Sequence, residues 1–163
     1  MAVDLIEEID QAKSFLRQFI LWPDKWNAFP IDLGALNWQE YVFRPASLVN
    51  IPESKGVYTF VIKPNIANHP SCAYLMYVGK TIKQDLRTRF RQYLDEQAGK
   101  GKPRPKVEYI LSKYSEHLYF VCLPLDEGFD PTAVEDELMK AWAPPVNDAW
   151  PAEVRRVYKS IFV

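Results

Sequence analysis

Hydrolysis of a phosphodiester asks three things of a protein: cations at the phosphoryl oxygens, a group that activates water, and something to stabilise the leaving oxygen. Residues of all three types stand in this chain of 163 residues. Arg89 and Tyr93 are four apart, so on a helix they share one face and flank its apolar stripe, while Arg87 and Arg91 point to a different side. Glu135 stands beside a stripe of Val134, Leu138 and Trp142, with Asp136 and Lys140 forming an outward i, i+4 pair and Glu137 turned away. A carboxylate at that boundary is placed to hold one hard cation and not to build a two-metal cage. Read blandly, it is a solvated glutamate.

The charge distribution points the same way. The chain carries a net charge of −1, an average that hides a strong asymmetry. Between Lys80 and Lys106 lie nine basic residues, Lys80, Lys83, Arg87, Arg89, Arg91, Lys100, Lys102, Arg104 and Lys106, against Asp85, Asp95 and Glu96. That local excess of +6 leaves −7 for the remainder. Alone, such a run is a solvated helix face; beside a reactive site it becomes a surface for phosphates.

The elements that must position these residues follow from periodicity. Leu5, Ile6, Ile9, Ala12, Phe15, Leu16, Phe19 and Ile20 predict an amphipathic helix over residues 2–20. A stretch rich in Trp, Pro and Asn follows and resists assignment. Residues 56–63 and 73–78 are β-branched and aromatic, and the turn-forming segment between them predicts a hairpin with a long loop. Leu86, Phe90, Tyr93 and Leu94 then mark a helix ending near Gly99. A basic loop, a short helix over 107–114, a third buried strand over 117–125 and a helix opened by Asp130-Pro131 complete the order. The fold class expected is α/β of the α+β type: a small, mostly antiparallel three-stranded sheet flanked by helices, with an N-terminal helical extension. Residues 1–50 read as an accessory helix and irregular segment, and residues 51–163 as the domain that carries the chemistry.

The apolar share of 48% and aromatic share of 14% place the chain among globular proteins. No apolar run reaches the length of a membrane span, and the first twenty residues carry acidic residues where a signal peptide carries basic ones, so no membrane association and a cytoplasmic location are expected. Cys72 and Cys122 are isolated and read as core or incidental, without a disulfide or zinc role.

Gly56-Val57-Tyr58 followed by Tyr77-Val78-Gly79-Lys80 resembles the two-strand signature that names the GIY-YIG nuclease family. Leu86-x-x-Arg89-x-x-x-Tyr93 is similar to that family's helix motif, and Glu135-x-x-Leu138 with Pro144 and Asn147 to its C-terminal element. The likeness spans residues 52 to about 148 and most resembles the N-terminal endonuclease domain of the bacterial excision-repair nuclease. Two departures stand out: a longer loop between Tyr58 and Tyr77, and two extra residues between Lys80 and Arg89.

The resemblance implies a metal-dependent endonuclease acting on DNA. Tyr58, Tyr77 and Tyr93 would position or deprotonate the attacking water, Lys80 and Arg89 would neutralise the phosphate, and Asn147 would close the end of the sheet. Glu135 would hold one Mg²⁺ or Mn²⁺ ion. Lys83, Arg87, Arg91, Lys100, Lys102, Arg104 and Lys106 would form the DNA-binding surface. Three alternatives stay open: Tyr58 and Tyr77 as ordinary core aromatics, a catalytically silent DNA-binding or protein-docking module, and an RNA-directed nuclease. Residues 1–50 would help select the substrate, a protein partner or a second copy of the chain.

Overall fold

A computed structural model describes residues 5–102 and 104–162. The chain is an α+β fold built on a four-stranded, wholly antiparallel sheet of order β1-β4-β2-β3. Its strands are β1 (Gln39–Val42), β2 (Gly56–Ile62), β3 (Tyr74–Thr81) and β4 (Leu118–Pro124). The helices are α1 (Leu5–Ser14), α2 (Pro23–Asn27), α3 (Leu86–Gln97), α4 (Pro105–Lys113), α5 (Pro131–Trp142) and α6 (Ala152–Phe162), with short 3₁₀ turns at Pro45–Asn50, Ile66–Asn68 and Ser115–His117. Among the described residues no helix is long and apolar enough to cross a membrane.

Strand alternation sorts side chains onto two faces, and the register decides which share one. Tyr58 pairs with Gly79 on one side and Cys122 on the other, and Phe60 pairs with Tyr77 and Phe120. That face is covered by Leu86, Phe90 and Tyr93 of α3 and by Val107, Ile110 and Leu111 of α4. Val57, Val78 and Leu123 face the other way, against Val134, Leu138 and Met139 of α5 and Trp150 and Val154 near α6. β2, packed on both faces, is therefore apolar almost throughout, which is why it is legible as a strand but not as an alternating one. The two long helices start as their residues dictate. Asp85 accepts from the Thr88 amide at 2.6 Å, and Asp130 from the Thr132 amide at 2.9 Å with Pro131 in the first turn.

The sheet differs from the expected one by its fourth strand. Gln39–Val42 pairs with β4, from Gln39 opposite Cys122 to Val42 opposite Tyr119. Four residues beginning Gln-Glu carry almost no periodic signal, and this strand exists because β4 offers it a partner. The first helix also ends earlier than its apolar pattern predicts, at Ser14 instead of near residue 20. Tertiary contacts capture the residues beyond it: Tyr109 donates its hydroxyl to the Ser14 carbonyl at 2.8 Å, Phe15 packs on Tyr109 and Tyr114, and Phe19 on Tyr74. Ile20, Phe29, Ile31, Leu33 and Leu36 then pack against the core on the α5 side. The irregular segment, and not the amphipathic helix before it, does the docking, and α1 has no buried residue. On α5, Met139 is buried where Trp142 was expected to be, and Lys140 pairs with Glu137 at 2.6 Å instead of Asp136. Cys122 is a core residue whose thiol burial pushes up to about 12, and Cys72 is half-buried.

Candidate active site

Two glycines let the strands carry large side chains close together. A Cβ on Gly56 would lie 2.2 Å from the Leu123 carbonyl oxygen, and one on Gly79 would lie 2.4 Å from both Cζ and Oη of Tyr58. The missing side chain at Gly79 is the space in which the Tyr58 ring lies as it reaches from β2 toward α3.

At the end of that reach a polar cluster is assembled inside an aromatic core. The hydroxyls of Tyr58 and Tyr93 are 2.9 Å apart. Arg89 donates from Nε to Tyr58 at 3.2 Å, from Nη2 to Tyr93 at 2.9 Å and from Nη1 to Gln92 Oε1 at 2.8 Å. Gln92 is itself held by a reciprocal amide pair with Gln84, at 2.7 and 3.1 Å. The nearest carboxylate on Arg89 is Glu96, at 3.9 Å. Arg89 is thus a half-buried cation fixed chiefly by neutral partners. Burial pushes the hydroxyls of Tyr58 and Tyr93 well above the ordinary phenol range; Tyr77 adds to the shift of both, and Tyr58 to that of Tyr93. Both stay protonated at neutral pH, so they position Arg89 and neither is suited to remove a proton from water.

Tyr77 lies on the same face of the sheet, 6.3 Å from Tyr58 between ring centroids. Its hydroxyl accepts from Nη2 of Arg104, whose guanidinium also sits 5.1 Å from the centre of the Tyr77 ring. Lys80, opposite Val57 in the register, points to the α5 face, where it forms an ion pair with Glu135. Glu135 is only 12% exposed. Burial raises its pKa above the usual carboxylate range, and Lys80 pulls it back. The expected residues therefore form two half-sites on opposite faces of β3, an edge strand. Arg104 is electrostatically common to both, since its charge acts on Glu96 and on Glu135.

Asn147, counted among the site residues and expected to close the end of the sheet, borders β3. Its side chain accepts from the Val78 amide at 2.9 Å and donates to the Val78 carbonyl at 2.8 Å, completing the free edge of β3 as another strand would. Arg87 is engaged within the fold. Its Nε and Nη2 donate to the carbonyls of Ile51 at 2.8 Å and Val49 at 3.1 Å, and Nη1 pairs with Glu53, so all three of its nitrogens tie α3 to the turn before β2. Lys106 pairs with Asp148 at 2.7 Å. Lys83, Arg91, Lys100 and Lys102 remain as exposed cations. Gln84, Gln92 and Glu96 went unrecognised in the sequence, although helical spacing carries a signal for two of them: Gln92 is three and Glu96 seven residues after Arg89, on the same face.

Among the described residues no group of three or more His, Cys, Asp or Glu could hold a metal. Glu135 instead offers one carboxylate, a donor set that fits a hard cation completing its shell with water and substrate oxygens. Comparison with protein-family models, with curated proteins and with solved structures found no match to this chain.

Proposed function

We propose that this chain is a metal-dependent endonuclease of the GIY-YIG type that hydrolyses DNA phosphodiester bonds. The observation that carries the reading is Arg89. Its guanidinium is buried to the point of needing partners, yet those partners are the neutral Tyr58, Tyr93 and Gln92, which fix its position without cancelling its charge. Such a preorganised cation suits an anion that gains charge in its transition state, and removing one typically costs on the order of 10²–10³ in rate.

In this reading Arg89 binds a phosphoryl oxygen, and Tyr77, whose oxygen accepts from Arg104, keeps its own proton available for orienting the attacking water. Glu135 would hold Mg²⁺ or Mn²⁺; when bound, such an ion polarises the phosphoryl group and stabilises the leaving oxygen. Lys80, beside Glu135, would turn its ammonium to the phosphate when Glu135 holds that ion. Lys83, Arg91, Lys100 and Lys102 follow the backbone of the duplex.

A second reading, a silent DNA-binding or docking module, is favoured by one observation: Lys80 and Glu135 already satisfy each other, as in a structural ion pair. Incubating the purified chain with plasmid, linear and branched DNA in Mg²⁺ or Mn²⁺ separates the two. Nicking or linearisation that EDTA abolishes supports the nuclease. Binding without cutting in either metal supports the module.

A further inference from the structure

We propose that Arg104 is a catalytic residue of this site, its guanidinium gripping a non-bridging oxygen of the scissile phosphate beside Tyr77, and not one of the cations that merely follow the backbone. The inference rests on the nuclease reading and adds a second arginine to it.

Three observations place Arg104 there. Its reach is inward: it opens α4 from the basic loop, but its Nη2 donates to the hydroxyl of Tyr77, a residue only 4% exposed, and its guanidinium lies against that ring. No carboxylate contacts it. Lys80, Arg87 and Lys106 are each in close ion pairs, whereas among the described residues Arg104 has no carboxylate within 4 Å. Its field spans both half-sites, acting on Glu96 on the α3 side and on Glu135 on the α5 side. A guanidinium presents five donors in a planar fork, and the bond to Tyr77 uses one nitrogen. The remaining edge is free for a phosphate, two of whose oxygens a guanidinium fork can bind at once. Tyr77 and the phosphate oxygen would then be held by one group, which fixes the distance between the water the tyrosine orients and the phosphorus it attacks.

The test uses the full chain and the variants Arg104→Ala and Arg104→Lys. Single-turnover cleavage at saturating duplex in Mn²⁺ is measured beside binding of the same duplex in Ca²⁺. A catalytic Arg104 predicts a rate roughly 10²–10³ lower in Arg104→Ala with affinity changed less than about threefold. Arg104→Lys keeps the charge and the fold but lacks the fork, and its rate should still fall at least about tenfold. Unchanged rate at saturation together with weakened binding and a reduced salt slope overturns the assignment. Should wild-type protein cut nothing, the nuclease reading fails, but Arg104 is still read separately by titrating inorganic phosphate against the arginine Nε–H resonances. Saturable movement of the Arg104 signal, with affinity lost in Arg104→Ala, upholds the anion site; a stationary signal overturns it.

Discussion

Replacing Gly79 by alanine adds a single methyl group at the point where β3 and the Tyr58 ring come closest. In most ordinary backbone conformations this change stabilises a protein by about 0.4–1 kcal/mol, because the unfolded chain loses freedom. Here the added carbon would sit 2.4 Å from Cζ and Oη of Tyr58. The ring cannot swing aside freely: it is 2% exposed, stacked on Phe120 at 5.0 Å and tied by its hydroxyl to Tyr93 and Arg89. Overpacking of a core costs about 1–3 kcal/mol, and disturbing the buried hydroxyl bonds costs roughly another 1–3 kcal/mol. The clash outweighs the entropy gain, for a net loss of roughly 1–5 kcal/mol and a fall in melting temperature of about 3–20 °C. Arg89 loses its fixed position at the same time, so cleavage should drop more steeply than stability. Gly128→Ala is the control, since a Cβ there meets nothing within 4 Å. Thermal melts of both variants decide the matter. A Gly79→Ala protein that melts within about 1 °C of Gly128→Ala would refute the packing of Tyr58 across Gly79.

Asn147→Leu leaves the buried amide and carbonyl of Val78 unpaired and should cost roughly 2–5 kcal/mol in urea unfolding, with faster hydrogen exchange at Val78. Asp85 has its pKa lowered, chiefly by the hydrogen bond from the Thr88 amide. Its stabilisation is therefore complete above the unfolded carboxylate pKa and is lost as pH falls through the lower folded value. Asp85→Asn keeps a capping oxygen but removes this titration, so its melting temperature should fall less than that of wild type in the acid range. Replacing Lys100 and Lys102 together by alanine should reduce the salt slope of DNA binding by about two units, whereas Arg87→Ala should lower the melting temperature and leave the slope unchanged.

What the sequence made legible was whatever a short periodic pattern encodes. β2, β3, α3, β4 and α5 each carry their apolar spacing and caps within about a dozen residues, and all five are where the pattern puts them. β1 was invisible because its pairing with β4 lies some eighty residues away in the chain, and α1 was overextended because Phe15 and Phe19 fit its stripe yet are held by Tyr109, Tyr114 and Tyr74. At the site, Arg89 and Tyr93 were placed together by helical spacing, and the structure does bring them together. Spacing could not show that Lys80 turns away from Tyr58 and Tyr77. That follows from strand alternation once the register is known, since Lys80 lies an odd number of residues from Tyr77. Nor could composition separate Arg87, whose donors go to backbone carbonyls, from Arg104, which reaches Tyr77; charge counts see both alike.

The proposed service of Glu135 to a divalent ion is open to one measurement, cleavage of a labelled duplex by wild type and Glu135→Ala across a Mg²⁺ and Mn²⁺ titration. Glu135 sits at the boundary of the α5 stripe, so its truncation should leave the fold standing, which circular dichroism and the melting temperature check in the same preparation. Wild type should cut only with metal, Glu135→Ala should not cut at any metal concentration, and duplex binding in Ca²⁺ should persist in both. A folded Glu135→Ala protein that cuts at the wild-type rate would rule out Glu135 as the metal ligand.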